Sequence, residues 1–166
     1  AIDSETQNET AISTDIDAGG NTVRFAANQD GIGMLGFSQT AGDEITTTNE
    51  TTLAIEIIVN SLIGGTGDAE LGLLSTGATT GQVRISTSGG GIRDANAAAK
   101  NIIASGTLLT AMDGVGTVAD RLETQVGAIE GAGGSGGFFV DNMGDLDIGN
   151  VDGLTMGLAA AGGSIN

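Results

Sequence analysis

Short apolar segments recur along this chain with glycine between them, and this pattern constrains the fold more than any other feature. In each of three segments, one charged residue stands between two apolar residues. The segments are Val23–Phe25, Ile55–Ile57 and Val83–Ile85. Alternation with a period of two is typical of a β-strand with one buried face. Thirty of the 166 residues are Gly, which tolerates the positive φ of tight turns. We therefore predict an all-β chain that forms a parallel β-helix (β-solenoid) with Gly-rich turns.

Candidate strands follow from the alternation, and clusters of Gly, Asp, Asn, Ser and Thr supply the turns between them. The strands are Ile12 to Ala18, Thr22 to Ala27, Met34 to Ser38, Ile45 to Thr48, Leu53 to Val59, Glu70 to Ser75, Gln82 to Thr87, Asn101 to Ala104, Leu108 to Met112, Leu122 to Ile129, Gly137 to Asn142 and Asp145 to Ile148. Two stretches have a helical alternative. Asp94 to Ala104 is rich in Ala, and Val118 to Ile129 carries apolar residues at helical spacing, although Gly127 disfavours a helix there.

The segments recur at a nearly constant interval, from Val23 to Leu53 and again from Leu53 to Val83. An interval of about 30 residues is typical of repeat architectures. Stacking at that interval predicts one column of inward-facing side chains. Its members are Val23, Phe25, Ile55, Ile57, Val83, Ile85, Phe138 and Val140.

The residues between these apolar positions should project outward. Arg24, Glu56 and Arg84 then form a ladder of alternating charge, with neighbouring strands about 4.8 Å apart. Phe139 shares the outward face, where an aromatic side chain would be left in water. We therefore predict that Phe139 is an interface residue, covered by a neighbouring chain, a loop or the next unit.

Charge and missing residue types limit the function classes. Asp and Glu total 21 against five Lys and Arg, a net charge of −16, which repels nucleic acid and anionic membranes. His, Cys, Tyr and Trp are absent, and acid–base catalysis near neutral pH most often uses His. The longest apolar stretch, Leu53 to Ile63, is interrupted by polar residues and is too short to span a bilayer. We predict a protein that is not an enzyme, has no membrane span and does not bind nucleic acid.

Both ends of the chain lie within the same pattern of strands and turns. The sequence begins without Met and stops at Gly162–Asn166, inside another turn. We therefore expect residues 1–166 to be a single β-solenoid segment, a fragment or repeat unit of a longer chain. An uncovered parallel edge offers unpaired N–H and C=O groups to another chain, so we expect self-association into a fibre or a tandem array.

Calcium is the metal that this composition favours. Asp145, Asp147 and Asp152 form a spaced acidic loop that offers hard oxygen ligands, without the residue order of an EF-hand. Gly64 to Leu71 is similar to a calcium-binding nonapeptide repeat but occurs once. Ordinary Gly-rich turns explain both segments equally, since Asp commonly caps or turns the backbone. The prediction is no cofactor, with calcium at these three aspartates as the alternative.

Carboxylates also leave a catalytic alternative open, because parallel β-helix enzymes that act on polysaccharides use acidic residues. Asp141, Asp145, Asp147 and Asp152 are the residues to consider for that role. They fall at predicted turns, where a structural role explains them. We assign no catalytic residue and keep a carbohydrate-active enzyme as an alternative function.

Two segments are similar to units of very large secreted bacterial proteins of the filamentous-haemagglutinin-like, β-strand-repeat (adhesin) type. Ala119 to Gly149 contains a Leu-Glu-Thr segment, a Gly-rich turn, an apolar strand ending in Asn and a short strand ending in Ile-Gly. Gly81 to Val115, with its Gly-Gly-Ile-Arg-Asp-Ala-Asn core, resembles the preceding unit of such arrays. The resemblance implies a right-handed parallel β-helix on an extracellular or surface-attached fibre. It carries over no catalytic residues.

Together these observations predict a structural or adhesive element of a bacterial extracellular or surface fibre that assembles end to end. It would be secreted or held at the cell surface, and host or matrix surfaces are candidate partners. A calcium-stabilised extracellular binding module is the alternative from a different class. Melting with and without calcium distinguishes the two, since a ligand bound by the folded state alone raises stability.

Overall fold

The computed structural model describes residues 1–32, 36–60, 67–77, 80–152 and 157–166. Across these residues the chain forms strands and turns without a helix, which confirms the all-β prediction. The strands are β1 (Ile2–Glu5), β2 (Thr10–Ile12), β3 (Ile16–Asp17), β4 (Val23–Ala27), β5 (Phe37–Gln39), β6 (Glu44–Thr46), β7 (Ile55–Val59), β8 (Ala69–Leu71), β9 (Leu73–Ser75), β10 (Gln82–Thr87), β11 (Ile92–Asp94), β12 (Ile102–Ala111), β13 (Leu122–Ala132), β14 (Val140–Asn142), β15 (Asp147–Ile148) and β16 (Leu158–Ala159). Among the described residues, there is no helix with the length and the apolar character needed to cross a membrane.

All pairings between these strands are parallel, and the strands that pair are distant in sequence. Val23 of β4 pairs with Ile55 of β7, which pairs in turn with Val83 of β10. Apolar residues therefore meet apolar residues on the inner face, because side chains alternate between the two faces of a strand. The alternation seen in the sequence is what fixes this register.

The predicted β-solenoid is wrong. One twelve-stranded sheet contains a curled half-barrel of eight strands in the order β1-β4-β7-β10-β12-β9-β6-β3, and β11-β8-β5-β2 form a separate four-stranded sheet. A solenoid with separate faces would keep β10 and β9 in different sheets. Here the long strand β12 pairs with both, through Gly106–Ala111 and through Ile102–Ile103. This one strand joins the two halves of the sheet.

The constant interval between paired segments is also wrong. Val23 pairs with Ile55, and Ile55 pairs with Val83. Val83 pairs with Thr107, which pairs with Ile129. Each step in this series covers a shorter stretch of sequence than the step before it. The connections can shorten along the chain because backbone pairing fixes only the strand positions and leaves the turns free to differ in length.

Most of the predicted inward column is buried. Seven of its members are core residues, and Val140 is half-buried against the same core. The core draws side chains from both sheets, including Phe37 of the four-stranded sheet and Phe25 of the curled sheet, whose ring centroids lie 5.6 Å apart. Ile, Leu, Val and Ala fill most of the rest. All four Phe side chains of the chain are therefore buried.

The predicted charge ladder is confirmed on the outer face. Arg24 pairs in register with Asp3 and with Glu56, and Glu56 pairs with Arg84. The Arg24 guanidinium lies 3.0 Å from the Asp3 carboxylate and 3.3 Å from that of Glu56. These half-exposed ion pairs each contribute at most about 1 kcal/mol, so they favour this register more than they stabilise the fold.

The structure also changes several strand boundaries. Asn101 to Ala104 and Leu108 to Met112 are parts of the single strand β12, and β1, β11 and β16 were not predicted. Neither helical alternative forms, since both stretches contribute to strands that pair on both sides. The candidate strand beginning at Met34 starts outside the described residues and appears as β5.

Candidate functional site

A groove surrounds the loop 95–100, which connects β11 to β12. Its largest cavity has a volume of about 470 Å³ and extends from this loop to Leu73. Two neighbouring cavities, of about 340 and 310 Å³, continue past Ala98 to Glu123. We call this region the acidic groove; its charged lining residues are Asp43, Glu44, Lys100, Asp120, Arg121, Glu123 and Asp141.

The buried residue Asn101 holds the acidic groove together. Its side-chain amide donates to the Asp94 carboxylate at 2.7 Å and to the Leu71 carbonyl at 2.9 Å. Its side-chain oxygen accepts the backbone N–H of Glu123 at 2.9 Å. One fully buried side chain therefore links β8, β11 and β13. Removing it would leave several buried polar groups without partners, which is costly.

Glu123 is a residue of the acidic groove whose pKa is shifted by its surroundings. Burial is the main cause that raises the pKa of Glu123, and the nearby Asp94, Asp120 and Asp141 carboxylates raise it further against an opposing backbone hydrogen bond. Asp141 is its direct neighbour in register on β14. The groove can therefore hold a proton on Glu123 more readily than an exposed carboxyl can. A protonated carboxyl can donate a hydrogen bond, which an ionised one cannot.

The raised pKa of Glu123 predicts that the free energy of unfolding depends on pH. Between the ordinary pKa of 4.5 and the higher folded value, the folded state binds a proton more tightly than the unfolded state, so stability falls as pH rises through this window. We expect Glu123→Gln to raise stability at pH 7 by at most about 1 kcal/mol, because solvent screens this group, and to have less effect near pH 4.5. Thermal melts at both pH values measure the difference.

The matched control is Glu50→Gln, which removes the same charge from an exposed position outside the acidic groove and so reports the effect of net charge alone. A Glu123→Gln protein that is less stable at pH 7 than at pH 4.5, relative to the wild type, would contradict the predicted sign.

The structure does not bring the three predicted calcium ligands together. Asp145 and Asp147 are exposed, whereas Asp152 is half-buried and its backbone N–H donates to Glu130 at 3.3 Å. Within the described ranges, no group of three or more Asp, Glu, His or Cys side chains is placed to hold a metal ion. In the second calcium motif, residues 64–66 lie outside the described residues.

Phe139, the predicted interface residue, is 5% exposed within the single chain. Its backbone N–H donates to Val115 and its carbonyl accepts from Leu122. The sequence predicts that a neighbouring chain, a loop or the next unit covers Phe139, because the side chain would otherwise face water. This chain covers the side chain itself, so Phe139 gives no support for a partner.

Among the described residues, the strands at the two ends of the stack pair on one side only. At one end β1, β2 and β3 each pair on one side, with β4, β5 and β6. At the other end β14, β15 and β16 each pair only with β13 among the described strands. We call these the first layer and the last layer. Strand edges of this kind offer backbone donors and acceptors to another strand, although in the last layer the Val140 N–H already donates to the Asn166 carbonyl at 3.1 Å.

Both layers also carry apolar side chains. Ile2, Ile12 and Ile16 of the first layer pack against the core but are only partly buried. In the last layer Ile148 is 56% exposed and Met143 is 55% exposed. Apolar surface beside unpaired strand edges is typical of a surface that another layer of strands could cover.

Of the charged residues that line the acidic groove, the sequence singled out Asp141 alone, as a catalytic candidate. Glu123 lies in the Leu-Glu-Thr segment that carried the resemblance, but its neighbours Asp94 and Asp141 come from other strands. Only the strand pairing places these carboxylates together, so no local pattern could have identified them.

No protein-family model matches this chain, and neither a curated protein nor a solved structure does. The resemblance to filamentous-haemagglutinin-like proteins therefore stays a prediction.

Proposed function

We propose that this chain is a structural or adhesive element of a bacterial extracellular or surface fibre, and that copies assemble end to end. The observation that carries the proposal is the pair of end layers, each with strands that pair on one side, with partly buried Ile side chains in the first layer and exposed apolar side chains in the last. The first layer of one copy would extend the last layer of another by parallel pairing. Because two different surfaces at opposite ends of the strand stack meet, the contact is head-to-tail, and its repetition along the stack direction would generate a filament.

Charge opposes this contact at low ionic strength. The first layer carries acidic residues, among them Asp3, Glu5 and Asp17, and the last layer carries Asp141 and Asp147. Neither residues 1–23 nor residues 122–166 contain Lys or Arg. Salt shortens the distance over which these charges repel each other, to about 8 Å at 0.15 M and about 3 Å at 1 M. Assembly should therefore increase with salt concentration.

Sedimentation velocity across a series of NaCl concentrations tests the proposal. We expect the wild type to be mainly monomeric in 10 mM NaCl and to form larger species as NaCl approaches 1 M. Ile148→Asp adds one negative charge to the last layer and should reduce assembly at least about tenfold, since it places a charge in a desolvated contact. Ile148 is exposed in the monomer, so the variant should melt like the wild type.

The matched control is Val118→Asp, which makes the same charge change at a residue that is 70% exposed and lies outside both layers. It should assemble like the wild type. Equal loss of assembly in both variants would show that net charge alone acts and would contradict the end-to-end contact. A wild type that stays monomeric at every salt concentration would contradict self-assembly.

A further inference from the structure

Glu130 is a fully buried carboxylate on the outer face of the curled sheet. Its relative exposure is 0%. It pairs in register with Leu108, which pairs with Arg84, so it continues the column of the charge ladder. One carboxylate oxygen accepts the backbone N–H of Asp152 at 3.3 Å, and the other has no hydrogen-bond partner. The sequence did not identify Glu130 as a candidate site residue.

The segment 149–152 lies against the outer face of the sheet and contacts Glu130 through the Asp152 N–H. Its backbone pairs with the sheet where the Gly149 N–H donates to the Ile129 carbonyl at 2.8 Å. Val151 is 4% exposed and packs over Gly106, whose Cβ position would lie 3.5 Å from a Val151 methyl group. The side-chain amide of Gln82 donates to the Val151 carbonyl at 2.8 Å. The segment therefore crosses the outside of β13 and β12 as far as β10.

No cation of the described chain compensates the Glu130 charge. The ion pairs of this part of the chain involve Arg24 and Arg93, and Glu130 takes part in none of them. The nearest basic residue in its column is Arg84, two strands away, or about 10 Å at the usual strand spacing. A buried and unpaired carboxylate is strongly unfavourable, so such groups are paired, bind a metal ion or take up a proton.

We propose that Glu130 anchors a binding site for one divalent cation, with Ca²⁺ as the expected ion. The unpartnered oxygen of Glu130 supplies the first ligand. The Asp152 carboxylate, attached to the residue whose N–H already binds Glu130, and backbone carbonyls of the segment 149–152 supply the others. Ca²⁺ accepts carboxylate and carbonyl oxygens in flexible geometry, which suits an irregular segment laid across a sheet. Asp145 and Asp147, which the sequence offered as ligands, are exposed and take no part.

Bound cation would hold the segment 149–152 on the sheet. A ligand that binds only the folded state raises its stability by mass action. Without the cation, the uncompensated carboxylate would favour release of the segment. The cation is therefore expected to control how firmly residues 149–152 are held against β13.

Calorimetric titration and thermal melting with CaCl₂ test the site, with MgCl₂ and NaCl at matched ionic strength as references. We expect the wild type to bind one Ca²⁺ and to melt at a higher temperature in CaCl₂ than in either reference. Glu130→Gln keeps the shape and removes the charge, so it should weaken Ca²⁺ binding at least about tenfold, as loss of a charged ligand does. It should fold at least as well as the wild type without calcium.

Glu70→Gln is the matched control, because Glu70 is exposed on the four-stranded sheet. Unchanged Ca²⁺ binding in Glu70→Gln together with loss in Glu130→Gln supports the site. Equal Ca²⁺ effects in all three proteins would mean general charge screening and would overturn it. The absence of a Ca²⁺ effect in the wild type would also overturn it. If Glu130→Gln does not fold, Asp152→Asn replaces it under the same criteria.

Discussion

Replacing Gly134 by alanine is expected to destabilise the folded protein by about 3 kcal/mol or more, which is a large fraction of the stability of an ordinary domain. Gly134 has a φ of +49°, a conformation that costs an alanine about 1–2 kcal/mol. In addition, a Cβ at this position would overlap the carbonyl oxygen of Met112. Backbone cannot move aside as a flexible side chain can, so the overlap has to be relieved by displacing β12 or the turn.

Gly19 separates these two effects. Its φ of +54° is nearly the same, but no atom lies within 4 Å of the position that its Cβ would take. Gly19→Ala should therefore cost only the conformational part, about 1 kcal/mol. Urea unfolding of both variants measures the difference. If Gly134→Ala is no more destabilising than Gly19→Ala, the close approach of this turn to Met112 is wrong.

Phe139→Ala is expected to destabilise the isolated monomer by about 3–5 kcal/mol, the usual cost of truncating a buried aromatic residue. The neighbouring Phe138 is 1% exposed and Phe139 is 5% exposed, so the two alanine variants should lose similar amounts. The physical reason is that truncation removes the apolar contacts of the ring and leaves a cavity in its place. Unfolding at a concentration where the protein is monomeric measures the effect.

Val118→Ala is the control, since this side chain is 70% exposed and should change stability by less than about 0.5 kcal/mol. A Phe139→Ala monomer as stable as the wild type, with assembly lost, would restore Phe139 as an interface residue. It would also contradict the burial described here. The experiment therefore decides between packing within the chain and packing between chains.

The strand positions could be predicted because each depends on a short local pattern. Val83, Arg84 and Ile85 alternate in burial as their polarity alternates, and the same holds around Glu56. The charge ladder followed from the same alternation, once the segments were assumed to pair. The boundaries of β12 could not be predicted, because Gly106 suggested a break where the parallel partners on both sides continue the strand.

The candidate sites could not be predicted to the same extent. Glu123 owes its raised pKa to burial and to carboxylates on other strands, and Glu130 is contacted by a segment that follows much later in the chain. A sequence shows how many acidic residues exist, but not which of them lose contact with water. The aspartates that looked most like calcium ligands, Asp145 and Asp147, are the ones left exposed.

By itself the sequence determined the all-β class, the inner and outer faces of the main strands and the strongly acidic surface, because side-chain alternation and charge are local properties. Tertiary structure decided how the strands join into a curled sheet, which turns shorten, and which carboxylates are buried. Those features depend on which distant strands pair, and pairing is settled by the packing of the whole core. The spacing of Val23, Ile55 and Val83 illustrates the difference. The sequence suggested a constant repeat, whereas the strands that pair in the structure are joined by connections of unequal length.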